Sequence, residues 1–205
     1  MQKLYAVLLI VALALMDQVS KWWIIEVFFR PRVFEADGAS QRFMDWFTTV
    51  PQDKFPPARY EWAENLNIVM VWNEGISFGM LSSDHAFMPM VLSVSAFLLA
   101  AGLFVWLWRT PHITTSLPLA MVIAGALANI WDRIRFGAVA DFIDFHVKDW
   151  HYPAFNLADS CIVVGVLWLA FDGIVLEARR MAKKEEELAK EAAPDHIDGN
   201  KEGSN

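Results

Sequence analysis

Two blocks of the chain carry no charged residue: AFMPMVLSVSAFLLAAGLFVWLW over residues 86–108 and ITTSLPLAMVIAGALANIW over 113–131. Each is long enough to cross a hydrocarbon core of about 30 Å as a helix. Two other apolar runs are less uniform. LYAVLLIVALALM at 4–16 continues past Asp17 and Lys21 to Trp22, Trp23, Ile24 and Ile25. SCIVVGVLWLAF at 160–171 reaches spanning length when Tyr152 to Asp159 join it. The pattern predicts four transmembrane helices, at about 4–26, 86–108, 113–135 and 154–177. Lys3 followed by an apolar run and Ala12-Leu13-Ala14 has features of a removable signal. The apolar pattern resumes after Lys21, however, so the first segment is expected to stay as a helix.

The connections differ in character. The first, 27–85, is long and holds four Pro within residues 30–62. Its patch Phe43-Met44-Asp45-Trp46-Phe47 suits an interfacial helix. Residues 65–80, NLNIVMVWNEGISFGM, predict a strand, a turn at Asn73-Glu74-Gly75 and a second strand. The second connection is short, and the third, 137–152, is a medium loop. Residues 181–205 form a polar tail.

Composition sharpens this picture. Of 205 residues, 56% are hydrophobic and only 20% charged, so the apolar excess lies in the spans. The net charge of −7 argues against nucleic acid as a partner. A single cysteine, Cys161, rules out a disulfide within the chain and reads as a core residue. Lys3, Arg179, Arg180, Lys183 and Lys184 near the chain ends favour cytoplasmic termini, although Arg30, Arg32, Arg133, Arg135 and Lys148 lie on the other side.

Ionisable groups at membrane level usually mark function. Asp17 and Lys21 are spaced i,i+4 and suit a salt bridge that braces the helix end. Ala120, Ala124 and Ala128, with Gly125 beside them, allow another helix to approach closely. Asn129, Asp132 and Arg133 follow as a compact polar cluster, which reads either as a self-satisfied knot that positions a loop or as part of a site. Asp141 and Asp159 lack a basic partner at helical spacing, and each lies where a span meets the outer interface. Two carboxylates brought together there would not both ionise easily. Such a pair can supply the acid and the base of an aspartic protease. It can equally serve a proton relay or a proton-coupled transporter, and spacing alone leaves both open.

Five motifs in order carry a resemblance. They are Asp17-x-x-x-Lys21, Asn73-Glu-Gly75-Ile-Ser-Phe-Gly, Gly125-Ala-Leu-Ala-Asn129-Ile-Trp-Asp132-Arg133, Val139-Ala-Asp141-Phe-Ile and Phe155-Asn156-Leu-Ala158-Asp159-Ser160. On a four-helix plan this set resembles the lipoprotein signal peptidases, the type II signal peptidases of the bacterial inner membrane. The resemblance covers roughly residues 4–178, apart from much of 30–64.

It implies an all-α membrane protein, a four-helix bundle with a small periplasmic β-cradle and an interfacial helix. It implies an aspartic endopeptidase that removes the signal peptide from diacylglyceryl-modified prolipoproteins by cutting before the lipidated Cys. The catalytic pair would be Asp141 and Asp159. Asn73, Gly75, Asn129, Arg133, Asn156 and Ala158 would contact substrate or shape the site, with Asp17, Lys21, Asp132 and Gly125 in support. Neither cofactor nor metal is expected. The partners would be the lipid-modified substrate and membrane lipid, with the enzyme acting as a monomer. Residues 1–180 would form one peptidase domain with the periplasmic loop 27–85 and an insertion at about 34–60. Residues 181–205 would be a cytoplasmic tail. Ala128 stands where the family pattern leads one to expect Gly, and Ser77 where Ala is commoner.

Other protease classes fit less well. Ser20, adjacent to Lys21, points away from it on a helix, and no HExxH motif is present. His146 and His151 with Asp149 lie in the predicted third loop at a spacing too loose for a recognised metal motif. Asp144, Asp149 and Asp172 read as solvated or helix-end charges.

Overall fold

The computed structural model describes residues 1–34, 39–50, 53–75 and 87–192. The chain divides into two compact units, Met1–Leu169 and Ala170–Asn205. Helix α1 (Gln2–Trp22) runs on through a π-helical stretch, Trp23–Phe29, into the short α2 (Arg30–Val33). Then come α3 (Phe43–Thr48), strands β1 (Ala58–Ala63) and β2 (Leu66–Asn73), and helices α4 (Met88–Arg109) and α5 (Ile113–Phe136). Strands β3 (Val139–Val147) and β4 (Trp150–His151) precede α6 (Leu157–Phe171). In the second unit a π-helical stretch, Asp172–Leu176, leads into α7 (Glu177–Ala192). There, Arg180 donates to the buried Asp172 at 2.8 Å, so Asp172 is not a solvated charge.

Among the described residues, four helical runs are long and apolar enough to cross a membrane: Gln2–Val33, Met88–Arg109, Ile113–Phe136 and Leu157–Lys190. They match the four predicted spans. The apolar window of α5 is 72% buried, against 11–22% in the other three, which makes α5 the central helix. The outward faces of α1, α4 and α6 expose Leu8, Leu98, Leu99, Val166 and Leu167. Such faces suit lipid, and the chain is a multi-pass membrane protein.

Small residues explain the close packing of α5. Ala120, Ala124 and Ala128 are all buried, and Ala120, Leu119 and Ile123 join Ala6, Ile10 and Leu107 in one apolar cluster. A Cβ on Gly125 would lie 2.3 Å from the Ala158 carbonyl oxygen, so only glycine lets α6 begin where it does. Helix α5 ends at Gly137, whose φ of +67° turns the chain into β3.

The sheet is larger than the sequence predicts. It is antiparallel, in the order β1-β2-β3-β4. The hairpin partner of β2 is the preceding β1; the second strand expected after Gly75 falls on residues 76–80, outside the described ones. The third loop is itself β3, paired so that Val71 faces Asp141 and Asn73 faces Val139. Its sequence, VADFIDFHV, has the β-branched and aromatic residues of a strand. The aspartates interrupt the apolar run and disguise it as a loop.

A second core joins sheet and helices. Ile24, Ile25, Phe28 and Phe29 from the π-helical stretch pack with Trp46, Phe55, Met70, Phe136, Ala140 and Phe142. Arg135 pins α3 to the end of α5. It donates to the Trp46 carbonyl and, at 3.2 Å, to that of Thr49, with its guanidinium 4.2 Å from the Trp46 ring. The predicted interfacial patch is therefore a short helix, with Trp46 in the core.

Candidate active site

The candidate residues converge where α1, α5, β3 and α6 meet. Asp141 is on β3 and almost completely buried, at 1% exposure. Its Oδ1 accepts the side-chain amide of Asn156 at 2.8 Å, and its Oδ2 that of Asn73 at 3.1 Å. Asp159, in the first turn of α6, is half-buried. Its Oδ1 accepts the Asn129 amide at 2.8 Å and its Oδ2 the backbone N–H of Asn156 at 3.2 Å.

Asn156 therefore touches both carboxylates. It also starts α6: its Oδ1 accepts the Asp159 N–H at 2.9 Å while Asp159 reaches back to the Asn156 N–H. That is a reciprocal capping box, with Asn and Asp in place of the usual Ser/Thr and Glu. Asn-Leu-Ala-Asp ahead of an apolar run is a legible helix start, and it fixes Asp159 in the first turn.

A buried ionic network lies beneath the pair. Lys21 Nζ is 2.7 Å from Asp17 Oδ2 and 2.6 Å from Asp132 Oδ2, with all three side chains shielded from solvent. The free oxygen of Asp17 accepts the backbone N–H of Ala158 at 2.9 Å, and Asp132 accepts that of Ala140 at 3.2 Å. Ala158 and Ala140 are the residues immediately before Asp159 and Asp141. One lysine thus ties together the two carboxylates that hold the backbone ahead of each aspartate. Gln18, which sequence reasoning missed, completes the network by donating to Asp132 at 2.8 Å. Its adjacency to Asp17 in the chain was the available signal.

Burial, then the charge of nearby Asp159, pushes the Asp141 carboxyl up to about 7, despite hydrogen bonds from Asn73 and Asn156 that favour its ionised form. The pair can therefore hold one proton near neutral pH. Asp159, less buried, is the member that water can reach.

The other expected residues divide. Gly75 sits at a φ of +88° and donates its N–H to Asn73 Oδ1 at 2.9 Å, so the predicted turn holds the amide that touches Asp141. Asn129 joins the cluster directly, accepting Lys21 at 3.4 Å as well as donating to Asp159. Arg133 does not join Asn129 and Asp132 as one side-chain knot. Asp132 turns to Lys21, while Arg133 donates to the Asn129 carbonyl at 3.4 Å. It borders a groove of about 360 Å³ with Pro89, Met90, Ser93, Val94, Ile134 and Gly137. Lys21 is taken up by two carboxylates, and Ser20 donates to the Asp17 carbonyl at 2.7 Å, so Ser20 and Lys21 form no dyad.

Asp144 corrects the expectation of a solvated loop charge. It is buried and accepts Asn67 at 2.8 Å and His151 at 2.8 Å. Burial alone would raise its carboxyl, but the hydrogen bonds from His151 and Asn67 hold it below the ordinary value.

The family model of signal peptidase (SPase) II matches residues 9–175. Proteins named lipoprotein signal peptidase are similar to this chain in Anaplasma phagocytophilum (strain HZ), at 43% identity over 104 residues, and in Burkholderia multivorans (strain ATCC 17616 / 249), at 44% over 110. These alignments cover 51% and 52% of this chain and 66% and 64% of the relatives, so the chain spans just under two thirds of the length of the curated relatives it matches. A bacterial membrane enzyme solved by the in meso method at 1.9 Å resolution shares the fold. The TM-score is 0.58 and the identity 23%, over 83% of this chain and 93% of the other. With the family model covering most of its length, this chain belongs to the signal peptidase II family.

Proposed function

We propose that this protein is an aspartic endopeptidase that removes the signal peptide from diacylglyceryl-modified prolipoproteins, cutting before the lipidated cysteine. The observation that carries the reading is Asn156, which donates to both Asp141 and Asp159 and so holds two carboxyls in one site. The chemistry follows from a pair that shares one proton. The ionised member takes a proton from water, which attacks the scissile carbonyl carbon, while the protonated member donates to the carbonyl oxygen. When the tetrahedral intermediate collapses, the C–N bond breaks, the departing amine takes the proton drawn from water, and the carboxyl that protonated the carbonyl oxygen recovers its own. Asn73, Gly75, Asn129, Asn156 and Ala158 shape the site. Arg133 faces the substrate, and Asp17, Lys21, Asp132 and Gly125 set the positions of the two aspartates.

The reading extends to topology. Both termini are cytoplasmic, in a bacterial inner membrane, and the dyad opens on the periplasmic side. Residues 1–180 act as one peptidase domain with a periplasmic loop at 27–85, in which 34–60 is an insertion. The sheet is the cradle over the cleavage site, α3 is the interfacial helix, and 181–205 is a cytoplasmic tail. The groove beside Arg133 gives lipid acyl chains an approach from the bilayer. The enzyme acts as a monomer and needs no metal.

The test is cleavage by purified protein in lipid, read by mass spectrometry, of a diacylglyceryl-modified prolipoprotein beside its unlipidated form. Cleavage before the lipidated Cys, with the unlipidated form spared, is the expected result. Failure of folded protein to cut either substrate overturns the reading and leaves proton relay as the use for the pair.

A further inference from the structure

The tip of the β3–β4 hairpin carries a histidine pair for which the proposed peptidase has no use. His146 and His151 are direct cross-strand partners, followed inward by Val147 opposite Trp150 and a turn in which Lys148 takes a φ of +55°. Directly opposite residues on one face of an antiparallel pair have their Cβ atoms about 4.5–5.5 Å apart. The imidazoles accordingly stack, with centroids 4.9 Å apart and planes inclined by 23°.

Both rings are held in the same tautomer. His151 Nδ1 lies 2.8 Å from Asp144 Oδ1, and His146 Nδ1 lies 3.3 Å from the Lys148 carbonyl oxygen. A carboxylate and a carbonyl only accept, so in the neutral imidazole each Nδ1 carries the hydrogen and each Nε2 has the lone pair. Asp144 is itself fixed by Asn67 at 2.8 Å. Arg59 lies close enough to favour its ionised form. An imidazole whose Nδ1–H is oriented by a carboxylate or a carbonyl, with Nε2 left free, is the usual outer-shell arrangement of a metal-binding histidine.

We propose that His146 and His151 form a two-histidine site for a divalent first-row transition metal that favours imidazole, namely Zn²⁺, Cu²⁺ or Ni²⁺. Water fills the other coordination positions, since no three His, Cys, Asp or Glu side chains converge among the described residues. The strand ladder fixes both backbones, and to reach about 2.0–2.1 Å from one ion the stacked imidazoles turn about their side-chain torsions out of the stack. His151 is 40% exposed, which leaves the site open to solvent. An ion there would clamp the end of the strand that bears Asp141.

The probe is Cu²⁺ titrated into the untagged full-length protein in detergent, followed by calorimetry and by the nitrogen coupling in its electron spin resonance spectrum. One Cu²⁺ per chain with two imidazole nitrogens is expected. His146→Ala and His151→Gln should each weaken binding at least tenfold, and Asp144→Asn by about 10–100-fold through loss of the carboxylate charge behind His151 Nδ1. His151→Gln keeps a polar side chain beside Asp144, so it guards against a folding artefact. No 1:1 binding, or binding that both histidine variants leave unchanged, would mean an adventitious ion only and overturn the proposal.

Discussion

Asn156 donates its side-chain amide to Asp141 Oδ1 across 2.8 Å. Because the same residue caps α6, the start of a membrane-spanning helix and the position of a strand carboxylate are set by one side chain. Fold and site are therefore coupled at this point, and substitutions there can separate the two roles.

Asn156→Ala removes both cap and bridge. It should cost about 1–2 kcal/mol of stability, as loss of an N-cap does, together with most of the activity. Asn156→Ser keeps an oxygen for the Asp159 N–H but cannot span to Asp141. Stability should return with serine while kcat/KM stays low. Equal recovery of both would show that Asn156 serves only as a cap.

Lys21→Met leaves Asp17 and Asp132 facing each other in a buried site without a cation. Removing one partner of such a network typically costs about 3–5 kcal/mol. The variant should unfold at lower denaturant concentration and lose activity, because the backbone ahead of both aspartates loses its anchor. Thermal unfolding in detergent checks the first effect and a cleavage assay the second.

The sequence made the four spans legible because uncharged runs of this length have few alternatives. The lack of a cation at helical spacing singled out Asp141 and Asp159, the resemblance read them as a pair, and the structure places both against Asn156. The network was only half visible: Asp17 and Lys21 could be paired by spacing, but Asp132 completes it across 111 positions of chain, a contact that no local pattern encodes. Strand β3 was missed for a different reason. Its aspartates face polar partners contributed by β2, the cap of α6 and β4, so its alternation does not look like that of a half-buried strand. His146 and His151 looked too loosely spaced for the same reason, since a hairpin and not a loop sets them opposite each other.

Gly125→Ala tests the contact between α5 and α6. The new methyl would lie 2.3 Å from the Ala158 carbonyl oxygen and 2.7 Å from Ile162 Cγ1, so α6 must shift and carry Asp159 with it. Overpacking of this kind costs about 1–3 kcal/mol. Activity should fall by more than the stability loss explains, measured as kcat/KM on protein that is still folded.

The carboxyl of Asp141 at about 7 gives pH dependence a definite sign. Its proton is held below that value and lost above it, so kcat/KM should fall as pH rises through about 7. Stability follows the same group. A carboxyl raised in the folded state contributes stability that is complete below the unfolded value of 3.8 and lost as pH rises through about 7. Asp141→Asn, which stays neutral, should therefore stabilise the protein at pH 8 relative to its effect at pH 4, by up to a few kcal/mol. Unfolding measured at both pH values checks this.

The most direct measurement is a double-mutant comparison of cleavage rates for Asp141→Asn, Asp159→Asn and the double variant, each verified as folded. Groups that act as one unit lose their joint contribution when either is removed. The account predicts that each single variant falls at least about a thousandfold and that the double variant falls no further. Substantial activity in either single variant, or losses that multiply in the double, would contradict a catalytic pair.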